Sequence, residues 1–141
     1  MKLKKILNSI IHLPLYYLSY LIPKSKNIII FGSWYGKQYS DNPKYLFEYI
    51  SDFDKTKELV WITKDKKLNH QLKLKGINAQ EAYSIKGYWY SVRAKYAIVG
   101  HSIWDDLNPY MVNIIKGCIL AAILWHGSTN QELSGVAKLN D

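Results

Sequence analysis

Five short apolar runs, separated by stretches long enough to hold a helix, constrain this chain more than any other feature. Ile28-Ile29-Ile30-Phe31 is continuous rather than alternating. A parallel strand covered on both faces needs that pattern. Glu58–Thr63 reads as a second strand, 77–79 as a short third, 96–99 as a fourth and 118–124 as a fifth. Between them the spacing predicts a helix over 43–51, with Asn42 as N-cap, Pro43 at the first helical position and Tyr45, Leu46, Tyr49 and Ile50 on its apolar face. A lysine-rich helix over 66–75 offers Leu68, Leu72 and Leu74 for packing and ends at Gly76, and a third helix covers 84–94 despite Gly87. Residues 105–116 read as irregular or as a short helix around Asn108-Pro109. Strands joined by helical crossovers give a parallel sheet. The expected class is α/β, a Rossmann-like parallel sheet with helices on both faces. At 141 residues the chain holds about one such domain.

The net charge of +8 is concentrated at one end. Residues 1–26 hold Lys2, Lys4, Lys5, Lys24 and Lys26 and no acid, and the remainder is nearly balanced. Arg93 is the only arginine, so no basic stripe for nucleic acid follows, and nucleic acid is not an expected partner. Between the lysine clusters, Leu3, Leu7, Ile10, Ile11, Pro14, Leu18 and Leu21 approximate a helical stripe, and Tyr16, Tyr17 and Tyr20 suit the headgroup layer. The reading is an amphipathic helix lying on the anionic cytoplasmic leaflet, peripherally attached. A helix packed on the domain's own core and a short spanning anchor are the alternatives; the cleavage site of a signal peptide is absent. The expected organisation is a basic membrane-associating segment over 1–26, a Rossmann-like domain over 27–128 and a polar tail over 129–141.

Candidate functional residues collect where strands end, because open α/β sheets bind ligands at the carboxyl rim. The first loop, Gly32 to Asp41, lacks both the dinucleotide and the P-loop glycine spacing. Asp41 and Asn42 close it and are candidate substrate contacts. Gly100-His101-Ser102 ends the fourth strand, with His101 and Ser102 as further candidates for contact or proton transfer. Trp125-His126-Gly127-Ser128 ends the fifth. A histidine titrates near neutrality, which makes His126 the candidate general base for a hydroxyl nucleophile, with Trp125, Gly127 and Ser128 around it. Asp105 and Asp106 are available to orient a histidine or contact polyol hydroxyls. His70 reads as a surface residue, and His12 belongs to the basic segment. The four histidines share no metal-type spacing, so neither a metal nor a cofactor is expected. Cys118 cannot form an internal disulfide and lies in an apolar run, which fits a core position.

The strings FGSWYGKQYSDNPKYLFEYI, VWITKD, SIKGYWYSVRAKYAIVGHS and KGCILAAILWHGS follow one another in this order. They resemble the amino-terminal half of CDP-glycerol glycerophosphotransferases, the teichoic-acid primases and polymerases of Gram-positive bacteria. The resemblance covers about residues 27–128, and L-W-H-G-[ST] is its most specific piece. It implies two facing Rossmann-like domains of the GT-B type, the first carrying the acceptor side and the W-H-G histidine. It also implies transfer of glycerol phosphate from CDP-glycerol to a lipid-linked polyol-phosphate acceptor, with release of CMP. His126 would then take the hydroxyl proton.

The expectation for these 141 residues is one half of such a site, from a truncated or split product and incomplete without a complementing carboxyl-terminal domain or homo-oligomer. A non-catalytic, membrane-bound acceptor-binding or scaffold module is the alternative from another class. The amino-terminal domain of a different GT-B glycosyltransferase is a third.

Overall fold

The computed structural model describes residues 10, 13, 14, 17, 21–107 and 120–123. In chain order the elements are β1 (Ser25–Gly32), a 3-10 turn (Trp34–Gly36), α1 (Asp41–Phe53), β2 (Glu58–Thr63), α2 (Lys66–Leu74), β3 (Ala79–Glu81), α3 (Ile85–Arg93), β4 (Ala94–Val99), α4 (Ile103–Asp106) and β5 (Leu120–Ile123). The five strands form one parallel sheet in the order β3-β2-β1-β4-β5. That order is the Rossmann one, and the chain reverses direction across the sheet between β1 and β4.

Alternate residues of each strand enter opposite cores, as the two-residue period of a strand requires. Ile29, Phe31, Leu59, Trp61 and Ile98 face α1 and α2, where Phe47 and Leu72 close the packing. Ile28, Ile30, Val60, Ile62, Ala97 and Val99 form the other core with Leu107, and Tyr90 of α3 packs against it. Helices therefore cover both faces. Gly87 belongs in α3 because a Cβ there would stand 2.0 Å from the carbonyl oxygen of Glu81. The glycine lets the helix approach the end of β3 more closely than any other residue could.

Several boundaries differ from the sequence expectation. β1 begins at Ser25, so the expected division after residue 26 falls inside a strand. α1 is entered at Asp41, with Ser40 at the cap position but making no side-chain capping bond, which places Asn42 inside the first turn rather than at the cap. Asp41 is fixed there because its carboxylate accepts from the Trp34 indole N–H, a contact 7 residues apart that local propensity does not encode. The third strand lies two residues later than expected, because Ile77 packs into the α1–α2 core while Asn78 offers its carbonyl to the Trp61 N–H at 2.9 Å. Leu74 is exposed, against expectation. Leu68 and Leu72 share one face of α2, and two further residues turn Leu74 to the opposite side. α2 has a cap the sequence reading passed over, the Asp65 carboxylate, which accepts from the N–H groups of Lys67 and Leu68. A short helix, α4 (Ile103–Asp106), forms just ahead of the 105–116 region, most of which lies outside the described residues. The stretch around Asn108-Pro109 and Cys118 lie outside the described residues, as does the tail over 129–141.

Of the basic segment, Ile10, Leu13, Pro14, Tyr17 and residues 21–26 are described; Ile10, Leu13, Pro14, Tyr17 and Leu21 are helical and exposed. Among the described residues no helix is long and apolar enough to cross a membrane.

Candidate functional site

The carboxyl ends of β1 and β4 lie side by side, with Gly32 opposite Val99 and the Gly100 N–H donating to the Gly32 carbonyl at 3.3 Å. This is the point where the chain reverses, the place at which open α/β sheets bind ligands. The loop from β1 winds through three successive left-handed residues, Trp34 (φ 47°), Tyr35 (φ 58°) and Gly36 (φ 72°). For Trp34 and Tyr35 that conformation costs about 1–2 kcal/mol each. The surroundings offset the cost. The Gly36 carbonyl accepts from the Thr63 hydroxyl and the Lys64 N–H, both at 2.7 Å, and Tyr35 N–H donates to Asp106 Oδ1 at 2.8 Å.

Asp106 is the knot of the site. Its fully buried carboxylate accepts from three backbone N–H groups: Tyr35 through Oδ1, and Gly100 (3.0 Å) and His101 (2.8 Å) through Oδ2. Such charge-assisted bonds are about twice as strong as neutral ones, so one side chain joins the β1 loop to the end of β4. The His101 ring lies 5.0 Å from Trp34 edge-on and 5.5 Å from Tyr35 nearly parallel, centre to centre. Its Nδ1 stands 3.8 Å from Asp106 Oδ1. The Ser33 hydroxyl is fully buried beside this cluster and has no hydrogen-bond partner among the described residues.

Lys64 adds a cation to the same rim. Its ammonium donates to the Asp105 carbonyl, and its pKa is lowered, first by burial, against the opposing pull of Asp105 and Asp106. The strand-end position of Lys64, directly after β2, was the available sequence signal for it. Asp106 had a weaker signal: its side chain is acidic, but its role as acceptor for three amides depends on the fold.

The other candidate residues divide clearly. His101 and Ser102 stand at the rim. The Ser102 hydroxyl is committed to capping α4, accepting from Asp105 N–H at 3.1 Å and donating to Asp105 Oδ2 at 2.7 Å. Asp41 is tied to Trp34, and Asn42 is exposed on the first turn of α1. His70 is exposed on α2. Trp125, His126, Gly127 and Ser128 lie outside the described residues. Among the described residues no group of three or more His, Cys, Asp or Glu could hold a metal ion.

The comparisons with known proteins agree in direction. A teichoic acid poly(glycerol phosphate) polymerase of Bacillus spizizenii (strain W23) is 33% identical over 119 residues, 81% of this chain and 28% of that protein. A teichoic acid glycerol-phosphate transferase of Staphylococcus aureus is 38% identical over 71 residues, 50% of this chain and 18% of that protein. The chain thus spans less than a third of the length of these relatives. Among solved structures, a wall teichoic acid polymerase TagF from a CDPG soak superposes with a TM-score of 0.61 over 89% of this chain and 32% of its own, at 21% identity, a likeness of fold. The pattern of one protein family matches residues 15–134. The chain belongs to that family, the CDP-glycerol:poly(glycerophosphate) glycerophosphotransferases.

Proposed function

We propose that this chain supplies the acceptor-side half of a transferase site that moves glycerol phosphate from CDP-glycerol to a lipid-linked polyol-phosphate acceptor in teichoic-acid or capsule synthesis. The observation that carries the reading is the family match over residues 15–134, which includes the W-H-G motif at 125–127. His126 takes the proton of the acceptor hydroxyl as it attacks the β-phosphate, and CMP leaves. The sheet supports this role. Ile123 is paired with Val99, so β5 ends at the rim that holds His101. His126 follows three residues later, within about 11 Å of that strand end even when fully extended. Trp125, Gly127, Ser128, His101, Asp41 and Asn42 contact the substrate. The charge that develops on the pyrophosphate is met by donors of a complementing nucleotide-binding domain, because one sheet rim gives one wall of the cleft. Residues 1–26 hold the chain peripherally on the cytoplasmic leaflet, near the lipid-linked acceptor.

The test combines the chain with a complementing domain, radiolabelled CDP-glycerol and a lipid-linked acceptor analogue. His126→Ala is expected to lower transfer about 10²–10⁴-fold, the usual contribution of a general base. His101→Ala is expected to lower it less. Near-full transfer by His126→Ala overturns the assignment. Acceptor binding without CMP release by the unaltered mixture is the result expected of a non-catalytic module.

A further inference from the structure

We propose that the outer face of α3 and the segment preceding β1 form one surface that docks on an anionic lipid bilayer. The inference rests on the reading that residues 1–26 attach the chain to a membrane, and it identifies the part of the folded domain that meets the lipid. α3 buries Gly87, Ser91 and Val92 and turns Ile85 and Trp89 outward, 89% and 54% exposed. Ile85, Trp89 and Arg93 follow one another at four-residue intervals, which places them on one strip of the helix. An indole with one apolar and one polar end suits the headgroup layer, and an exposed isoleucine beside it suits the acyl boundary.

The charge on this strip matches such a surface. From Ala82 to Trp104 the chain has no acid, and it carries Lys86, Arg93 and Lys95. α1 gives the contrast. It also exposes aromatics, Tyr45, Tyr49 and Phe53, but Asp41, Glu48 and Asp52 lie on the same helix, where an anionic leaflet would repel them.

The strip is also fixed to the basic segment. Arg93 Nη1 donates to the Pro23 carbonyl at 2.7 Å, and the Lys24 ammonium donates to the Val92 carbonyl. Ile22 packs against Val92 together with Tyr88. The Arg93 guanidinium lies 5.7 Å from the centre of the Trp89 ring. The last residues of the segment are therefore bonded to the carboxyl end of α3, and bringing the segment to a bilayer brings α3 with it.

The test is flotation of the full chain with phosphatidylglycerol–phosphatidylcholine vesicles and with phosphatidylcholine alone. The variants are Ile85→Ser with Trp89→Ser, Lys86→Glu, and Tyr49→Ser with Phe53→Ser as control. The first pair is expected to lower partitioning onto anionic vesicles about ten-fold. Lys86→Glu is expected to lower it at least about five-fold, less so in high salt, and the α1 control to leave it unchanged. Lys86 is exposed, so that variant decides the matter should the paired one misfold. If the unaltered chain ignores anionic vesicles, both this inference and the attachment reading fall. If it binds and the α3 variants bind equally well, only this inference is overturned. The same holds if those variants change the oligomeric state and leave lipid binding alone, since a second copy would then cover α3.

Discussion

The two faces of the sheet use large apolar residues in opposite ways. Beneath α1 and α2 the core is aromatic: Phe31, Phe47 and Trp61 are buried, and Tyr39 meets the Trp61 ring at 4.5 Å. Beneath α3 the core is built from isoleucine, valine and alanine, with Gly87 drawing the helix close. The aromatic core takes up rings from the strands and from α1. A small-residue core lets the helix approach, and Ile85 and Trp89 of α3 face outward while Tyr90 packs inward. Tryptophan is thus a core residue at position 61 and a surface residue at position 89. The residue type does not decide its role. The space beneath the helix does.

The largest test of this contrast is truncation of each tryptophan. Trp61→Ala is expected to cost about 3–5 kcal/mol in urea unfolding, the range for deleting a buried aromatic ring. Trp89→Ala should fall within about 0.5 kcal/mol of the unaltered chain, as surface substitutions do. Equal losses would mean that the outer face of α3 is structural. Asp106→Ala probes the rim where the two faces meet. It leaves three amides without their carboxylate and is expected to cost about 3 kcal/mol. Asp106→Asn, which keeps acceptor capacity on one oxygen, should recover part of that loss, and thermal melts would show it. Gly87→Ala sharpens the close approach of α3. The added methyl has to displace backbone, at about 2 kcal/mol. An alanine tolerated there without loss would show that α3 is free to lift away from β3.

The fold was legible in the sequence where a run had only one reading. Glu58–Thr63 forms the strand expected of it because its five buried residues leave no solvated face to consider. α3 was legible despite its glycine, since Ser84 supplies a cap and accepts from Gly87 N–H at 3.0 Å. The start of α1 was not, because Asp41 answers to Trp34 across a loop whose left-handed turn is held by Thr63, Lys64 and Asp106. At the site, strand-end position was enough to place His101 on the rim. It was not enough to find Lys64 or the role of Asp106, whose amide partners come from two separate stretches of chain.

By itself the sequence determined the α/β class, the parallel pairing, the family and the location of the charge, since periodicity, crossover length, motif order and composition are local properties. Only the tertiary structure decided that Asp106 joins the β1 loop to β4, that Trp61 lies inside and Trp89 outside, and that Arg93 and Lys24 bind the basic segment to α3. Each of those outcomes depends on a contact between residues distant in the chain or on the space left beneath a helix, and neither is encoded in any one stretch of it.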